Sequence, residues 1–258
     1  MTGHFIRLAT VAAMLACLGL AACSDGGVDL DRLSLGERGK VASVQSGEVF
    51  TLDSGLAVRL AGLEVPFPDE AGGQAAQADL AKRIQGRTVE LLYGGLRRDS
   101  QGRALAQVRL ADNRAWVQGA LLRDGMARVR TWADNRGMAQ PMLNDEARAR
   151  AAKTGLWGQG VFQVLIPPEV TRDTNGFQIV EGAPRFITPT RQGVYLDFAD
   201  DKRGFAALVN DKALPDFAAA GHPIQGLVGR LVRVRGVVGW NRAMAVDHPE
   251  QVELLKGR

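Results

Sequence analysis

The sequence predicts a mainly β protein with interspersed helices (α+β), arranged as two small β-barrels in series. Three observations lead there. Short alternating apolar segments bounded by Gly, Asp and Ser turns begin at Lys40. Ala- and Leu-containing stretches with helical spacing interrupt them. A break, Ile166-Pro167-Pro168 and then Thr171-Arg172-Asp173-Thr174-Asn175-Gly176, divides two such sets. A chain of 258 residues has room for one large domain or two small ones. Apolar residues make up 46% and charged residues 23%, as in an ordinary globular protein, and no repeat or low-complexity run is present. The formal charge of +4 tolerates a polyanionic partner without demanding one. Residues 37–160 carry 18 Lys and Arg against 14 Asp and Glu, whereas 161–258 carry 12 against 11, which favours the first half for anion binding.

The N-terminus reads as an address. Arg7 precedes an apolar run from Leu8 to Leu20, and Leu20-Ala21-Ala22-Cys23 follows. The run is too short to span ~30 Å of hydrocarbon, so residues 1–22 are expected to be a secretory signal peptide. The ending resembles the lipobox of bacterial lipoproteins, which implies lipidation of Cys23 and membrane attachment through that lipid. The other reading is an ordinary cleaved signal in which Cys23 is incidental. The lipobox resemblance implies a place in the cell envelope, outside the cytoplasm, on the periplasmic side in a Gram-negative cell. Residues 23–39 are polar and Gly-containing, as a tether would be. Cys17 falls in the part removed, so no thiol is left for a disulfide or a Cys-bound metal.

The first folded unit is expected over 40–160. Val41 to Val44, Val49 to Leu52 and Leu56 to Leu63 read as strands separated by turns at Ser46-Gly47 and Asp53-Ser54-Gly55. Gly72 to Gly86 is Ala-rich, with Leu80 and Ile84 four apart, and reads as a helix stopped by Gly86. Thr88 to Tyr93 and Ala104 to Leu110 are two more strands, joined by a polar loop. Trp116, Val117, Ala120 and Leu121 form a helical stripe with Gly125 as its stop, and a last helix runs from about Pro141 to Lys153. Five strands with these helices suit a small barrel of the OB type. Trp116 and Trp157 are expected in the core.

Several segments then carry a resemblance in order and spacing. They are Arg59-Leu-Ala-Gly-Leu-Glu64-Val-Pro66, Asp99-Ser-Gln-Gly-Arg103, Leu122-Arg-Asp-Gly-Met-Ala-Arg-Val129 and Glu146-Ala-Arg-Ala-Arg-Ala-Ala-Lys-Thr-Gly-Leu-Trp157. Together they resemble the staphylococcal nuclease (thermonuclease) family, which implies a five-stranded barrel of nuclease type over about 40–158. In that family a calcium ion and two arginines bind a phosphodiester, and a glutamate assists attack by water. The cation and arginines offset charge on the phosphoryl oxygens, and the base positions the nucleophile.

Matched residue by residue, Arg59 and Arg103 stand for the two arginines, and Glu48 and Glu64 fall where the family has metal-binding aspartates. Val65 replaces a threonine. Phe67 stands where the general-base glutamate belongs, and an aromatic ring can neither accept a proton nor orient water. Asp69 and Glu70 lie close by, on a loop stiffened by Pro66 and Pro68, and a rearranged loop would be needed to swing one of them in. Read without the resemblance, Arg59 and Glu64 are solvent-facing strand residues. Their spacing of five puts them on opposite faces of a regular strand, and Gly62 between them permits a bend that restores one face. His222 and His248 both lie outside this unit, so a His-rich metal site is excluded.

Residues 161–176 read as a linker, and 177–258 as a second, OB-like barrel. Its strand-like segments are Phe177 to Val180, Val194 to Phe198, Phe205 to Val209, Leu231 to Val238 and Gln251 to Leu255, with a helical patch near Leu214 to Ala220. Arg233 and Arg235 share one face of a strand that reads as half-exposed. Gly239-Trp240-Asn241-Arg242 and His248-Pro249-Glu250-Gln251-Val252 resemble the C-terminal extension of some bacterial thermonuclease-like proteins. Tyr195, Trp240, Arg233 and Arg235 would make an aromatic and basic face for single-stranded nucleic acid; a purely structural accessory domain is the other reading. Two functions stay open: a membrane-tethered, metal-dependent nuclease with a weakened site, or an inactive envelope module that binds nucleic acid or a protein.

Overall fold

The computed structural model describes residues 28–200 and 204–255. The signal peptide and Cys23 lie outside the described residues. Strands β1 (Ser34–Val44), β2 (Val49–Leu52) and β3 (Ala57–Leu60) open the first unit, followed by β4 (Leu63–Glu64) and helix α1 (Gly73–Ile84). Then come β5 (Thr88–Tyr93), β6 (Ala104–Leu110), α2 (Val117–Arg123), β7 (Arg128–Val129) and α3 (Ala139–Ala151). Strands β1, β2, β3, β6 and β5 close into a five-stranded barrel in that order, with only β3 and β6 parallel. Alternation builds its interior: Phe50 and Leu52 of β2 and Val58 and Leu60 of β3 are buried while their neighbours stand outside. Every residue of β6 is buried, because α2 packs over it. Trp116 and Trp157 are both core residues.

The first strand starts earlier than the expected tether allows. Residues 34–39 pair with β5, Leu30 is buried in the barrel core, and Asp31 pairs with Arg109 (2.7 Å) and Arg114 (2.7 Å). Residues 28–39 are therefore docked on the barrel. Their polar composition hid this because β1 is a wall of the barrel whose outward-facing side chains meet water.

The second unit contains β8 (Gly176–Gly182), β9 (Phe186–Pro189), β10 (Gly193–Asp197), β11 (Ala206–Asn210), α4 (Leu214–Ala219), β12 (Val232–Val238), β13 (Ala243–Val246) and β14 (Val252–Leu254). Where a second OB-like barrel was expected, the ladders among the described residues form one seven-stranded sheet that branches at β12. That strand pairs with β8 along its whole length and with β13 and β14 at its two ends. Phe205, Phe217, Val232, Val234 and Val246 fill the core behind it. No described helix is long and apolar enough to cross a membrane.

On the Arg233–Arg235 face, Arg235 is covered by the first unit. Arg235 is 1% exposed; its Nη1 donates to Glu146 Oε2 of α3 at 2.6 Å and to the Val129 carbonyl at 3.2 Å, and Nη2 pairs with Glu253. Glu146, also buried, accepts the Val129 amide (3.1 Å) and Arg150 Nη1 (2.9 Å). Arg233 pairs with Glu181 at 2.9 Å. The expected nucleic-acid face of Tyr195, Trp240, Arg233 and Arg235 does not assemble, since Trp240 stands 89% exposed while Arg235 is sealed inside. A period of two shows that two residues share a face and leaves open whether water or another unit covers it.

Removing one partner of a buried ion pair strands the other charge. Arg235→Met is expected to cost about 3–5 kcal/mol. Thermal unfolding checks this, and Arg235→Met combined with Glu146→Gln should regain part of the loss because the amide needs no counter-charge.

Candidate active site

Strand alternation brings Arg59 to the barrel surface, since its neighbours Val58 and Leu60 point inward. Across the ladder Arg59 lies opposite Val49, and the Leu60 amide donates to the Glu48 carbonyl at 2.8 Å, which sets Glu48 beside it. Ser46 fixes the turn by accepting the amides of Glu48 (3.3 Å) and Val49 (3.1 Å). Gly47 rests on the loop after β4: a Cβ there would stand 2.5 Å from Val65 Cγ1 and 2.8 Å from Ala76 Cβ. Only glycine allows that approach, and it keeps the Val65 side chain buried in the core.

Glu48 Oε1 stands 3.1 Å from Arg59 Nε, off the hydrogen-bond direction, so charge holds the pair. Its Oε2 is buried with no donor. Burial pushes the Glu48 carboxyl up to about 7; Arg59 pulls it down, Glu64 pushes it further up, and Arg103 also lowers it. Arg59, Glu64 and Arg103 therefore all act on the Glu48 carboxyl.

Glu64 reaches the site because Gly62, at φ +83°, turns the chain between β3 and β4. This is the bend that the spacing of Arg59 and Glu64 requires. Arg103 arrives from the β5–β6 connection, where Asp99 Oδ2 accepts its Nε at 2.7 Å and Asp99 Oδ1 accepts the amides of Gln101 (2.9 Å) and Arg103 (3.0 Å). Burial opposes the Asp99 charge, but these hydrogen bonds outweigh it and hold the carboxyl below its ordinary value.

Two site residues escaped the sequence reading. Arg130 donates from Nη1 to Glu64 Oε2 at 2.7 Å, and Trp132 lies under both Arg130 (5.6 Å) and Arg59 (5.4 Å). The alternation Arg128-x-Arg130-x-Trp132 is the signal that finds them, since residues two apart in an extended segment share a side.

Residues 57–159 match the family model described as staphylococcal nuclease homologue. This segment is a staphylococcal nuclease homologue domain. Comparison with curated proteins gives no match. The matched span holds Arg59, Glu64, Phe67 and Arg103, while Glu48 and the first two barrel strands precede it. At family level the match points to nuclease-like or nucleic-acid-binding function.

The nuclease homologues are generally calcium-dependent. Calcium takes six to eight oxygen ligands. The buried, donorless Oε2 of Glu48 would suit a cation, but Glu48 and Glu64 are each already engaged by an arginine. No three His, Cys, Asp or Glu side chains converge on a common point among the described residues. This donor set falls short of a calcium site.

Phe67 stands 66% exposed on a stapled turn. Its amide donates to Glu70 Oε2 at 2.8 Å, the Glu70 amide donates back to the Phe67 carbonyl at 2.9 Å, and a Cβ at Gly73 would come 1.7 Å from that carbonyl oxygen. Glu70, one of the two carboxylates considered as a replacement base, is thus committed to the turn. Asp69 is exposed beside it.

The raised Glu48 carboxyl has a consequence for stability. Folding favours its protonated form, so its contribution is full below pH 4.5 and is lost as pH rises towards 7. Glu48→Gln, which stays neutral, is expected to be about 3 kcal/mol more stable than wild type at pH 8 and nearly equal to it at pH 4.5. Thermal melts at the two pH values measure the difference.

Proposed function

We propose that the protein binds nucleic acid through phosphodiester contacts at Arg59 and Arg103 and hydrolyses it slowly or not at all. The observation that carries this reading is the pairing of an assembled charge cluster with an exposed aromatic ring at position 67. Among the described residues, no acceptor is hydrogen-bonded to either terminal nitrogen of Arg59, nor to Nη1 of Arg103. Those donors are free for phosphate oxygens, and a charged acceptor makes such bonds the stronger kind. Trp132 beneath Arg59 orients the guanidinium towards the ligand side.

For turnover, a water molecule must lose a proton as it attacks phosphorus. The nearest sequence positions offer Phe67, which cannot take it, Glu70, which is tied to the Phe67 amide, and Asp69, which is exposed on the same proline-flanked turn. Losing a general base typically lowers the rate by about 10²–10⁴ while charge stabilisation persists. The exposed Phe67 ring instead offers a stacking surface for an unpaired base. This favours a binding module over a fast nuclease, and single strands over duplex.

The envelope placement belongs to the same proposal and rests on the sequence of 1–39 alone. A lipid on Cys23 would hold the nuclease-homologue domain at the membrane surface. Fractionation of cells should find the protein with membranes, and Cys23→Ala should release it.

Cleavage and binding of labelled single- and double-stranded DNA and RNA, with and without calcium, test the function. Wild type is expected to bind single strands and cleave weakly, Arg59→Ala to lose about tenfold or more in affinity, and Phe67→Glu to gain cleavage. Rapid, chelator-sensitive cleavage by wild type would sink the weakened-site reading.

A further inference from the structure

We propose that the second unit is a working part of the candidate site, with Phe177 as a positioning residue that holds Arg130, and through it Glu64 and Arg59, in register for a phosphate. The inference rests on the phosphodiester-binding reading above and goes beyond it by assigning a role to the C-terminal half.

Strand β7 is the weak point of the first unit. Its only ladder among the described residues is the two-residue pairing with β4, Leu63 with Val129 and Glu64 with Arg128. A pairing so short is not stable by itself. Glu64, a candidate phosphate-site residue, sits on that ladder. The first unit also anchors it through the Val129 amide on Glu146 of α3 (3.1 Å), the Arg130 amide on the Gly62 carbonyl (2.9 Å) and the Val129 side chain in the barrel core, and the second unit adds two contacts. Arg235 of β12 donates to the Val129 carbonyl at 3.2 Å, and the Thr131 hydroxyl meets Nε2 of the buried His248 at 2.8 Å. Both residues belong to the second unit.

The side chains of β7 and the residues after it extend this hold into the site. Arg128 lies 4.9 Å from the Phe162 ring and 5.0 Å from the Phe177 ring, and Arg130 lies 5.9 Å from Phe177 and 5.6 Å from Trp132. Arg59 then stands 5.4 Å from Trp132. Rings and guanidinium groups thus alternate from the inter-unit segment to the proposed phosphate-binding arginine: Phe162, Arg128, Phe177, Arg130, Trp132, Arg59. Each spacing lies within the range where ring quadrupoles attract cations. Phe177, at the start of β8, touches both Arg128 and Arg130, and it is the only link in this series that the second unit supplies. Arg130 in turn holds Glu64 at 2.7 Å.

The geometry accounts for the burial of Arg128. Its Nε has no acceptor and it has no direct ion pair among the described residues; the two aromatic faces cover it while Glu64 and Glu146 attract it by charge. With the Phe177 ring gone, both arginines lose a face. Arg130 is then free to leave Glu64, and the arginine–carboxylate pattern that a phosphate would meet is no longer held.

The test uses the purified full-length protein and single-stranded oligonucleotide binding. Phe177→Leu keeps an apolar side chain in the inter-unit core and removes the ring, and should weaken binding about five- to tenfold, the range set by one or two partly buried ring–cation contacts. Phe177→Tyr should restore it. Arg130→Met should weaken binding in the wild type and add little when combined with Phe177→Leu, because both changes break one series of contacts. Val246→Ala, in the second unit's core away from the stack, controls for lost stability and should leave affinity unchanged. If Phe177→Leu binds as wild type while Arg59→Ala does not, or if Val246→Ala loses as much as Phe177→Leu, the positioning role is wrong. If wild type does not bind at all, the phosphodiester reading has failed, and hydrogen exchange decides the inference separately. Protection over 63–64 and 128–132 must then fall in Phe177→Leu and return in Phe177→Tyr; unchanged protection overturns it.

Discussion

The carboxylate of Glu146 takes the Val129 amide, Arg150 and Arg235 together, in the space between the barrel and the second sheet. It is fully buried, so each of these donors is needed to offset the loss of water. Because one donor comes from β7, one from its own helix and one from β12, the carboxylate is satisfied only when the two units are in contact. Arg235 has the matching requirement, with Glu146, Glu253 and the Val129 carbonyl as its acceptors. The apolar cluster of Leu156, Trp157, Phe162, Phe177 and Ile179 closes over the same junction and excludes water from the pair. Val129 of β7 meets this contact on both its backbone groups, its amide on Glu146 and its carbonyl on Arg235.

The site lies beside the same short strand, where Glu64 pairs with Arg128 and is held by Arg130. The barrel supplies Arg59 and Glu48 by regular alternation and a tight Ser46-Gly47 turn, both local features. Glu64 depends on the left-handed turn at Gly62 and on the short β4–β7 ladder, so its position is tied to the inter-unit junction. The result is a charge cluster with two kinds of support. Its arginines rest on carboxylates and on Trp132, and its carboxylates are held by arginines, with the Glu48 carboxyl pushed up to about 7 by burial.

Much of this was legible in the chain. The five barrel strands and three helices of the first unit were readable because apolar alternation, helical spacing and Gly or Pro stops are local and agree with one another. Two strands of the second unit were not. Phe186–Pro189 contains a proline, and Ala243–Val246 is four residues long with two alanines, so neither shows a strand signal. Residues 28–39 looked like a tether because the outward face of a barrel strand has the composition of a linker. Arg233 and Arg235 looked solvated because periodicity reports a shared face without reporting what covers it.

By itself the sequence determined the nuclease-homologue barrel and singled out Arg59, Arg103, Glu48 and Glu64, with Phe67 close by, as the residues that the family resemblance implies. Motif order and strand alternation carry that information over a few residues at a time. Only the tertiary structure decided that Arg130 and Trp132 complete the site, that Glu70 is committed to a turn, and that Phe177 and Arg235 reach the site's supporting strand from more than forty residues away. Those facts depend on which buried charges find partners and which rings find cations, and such choices are made between segments that have no pattern in common.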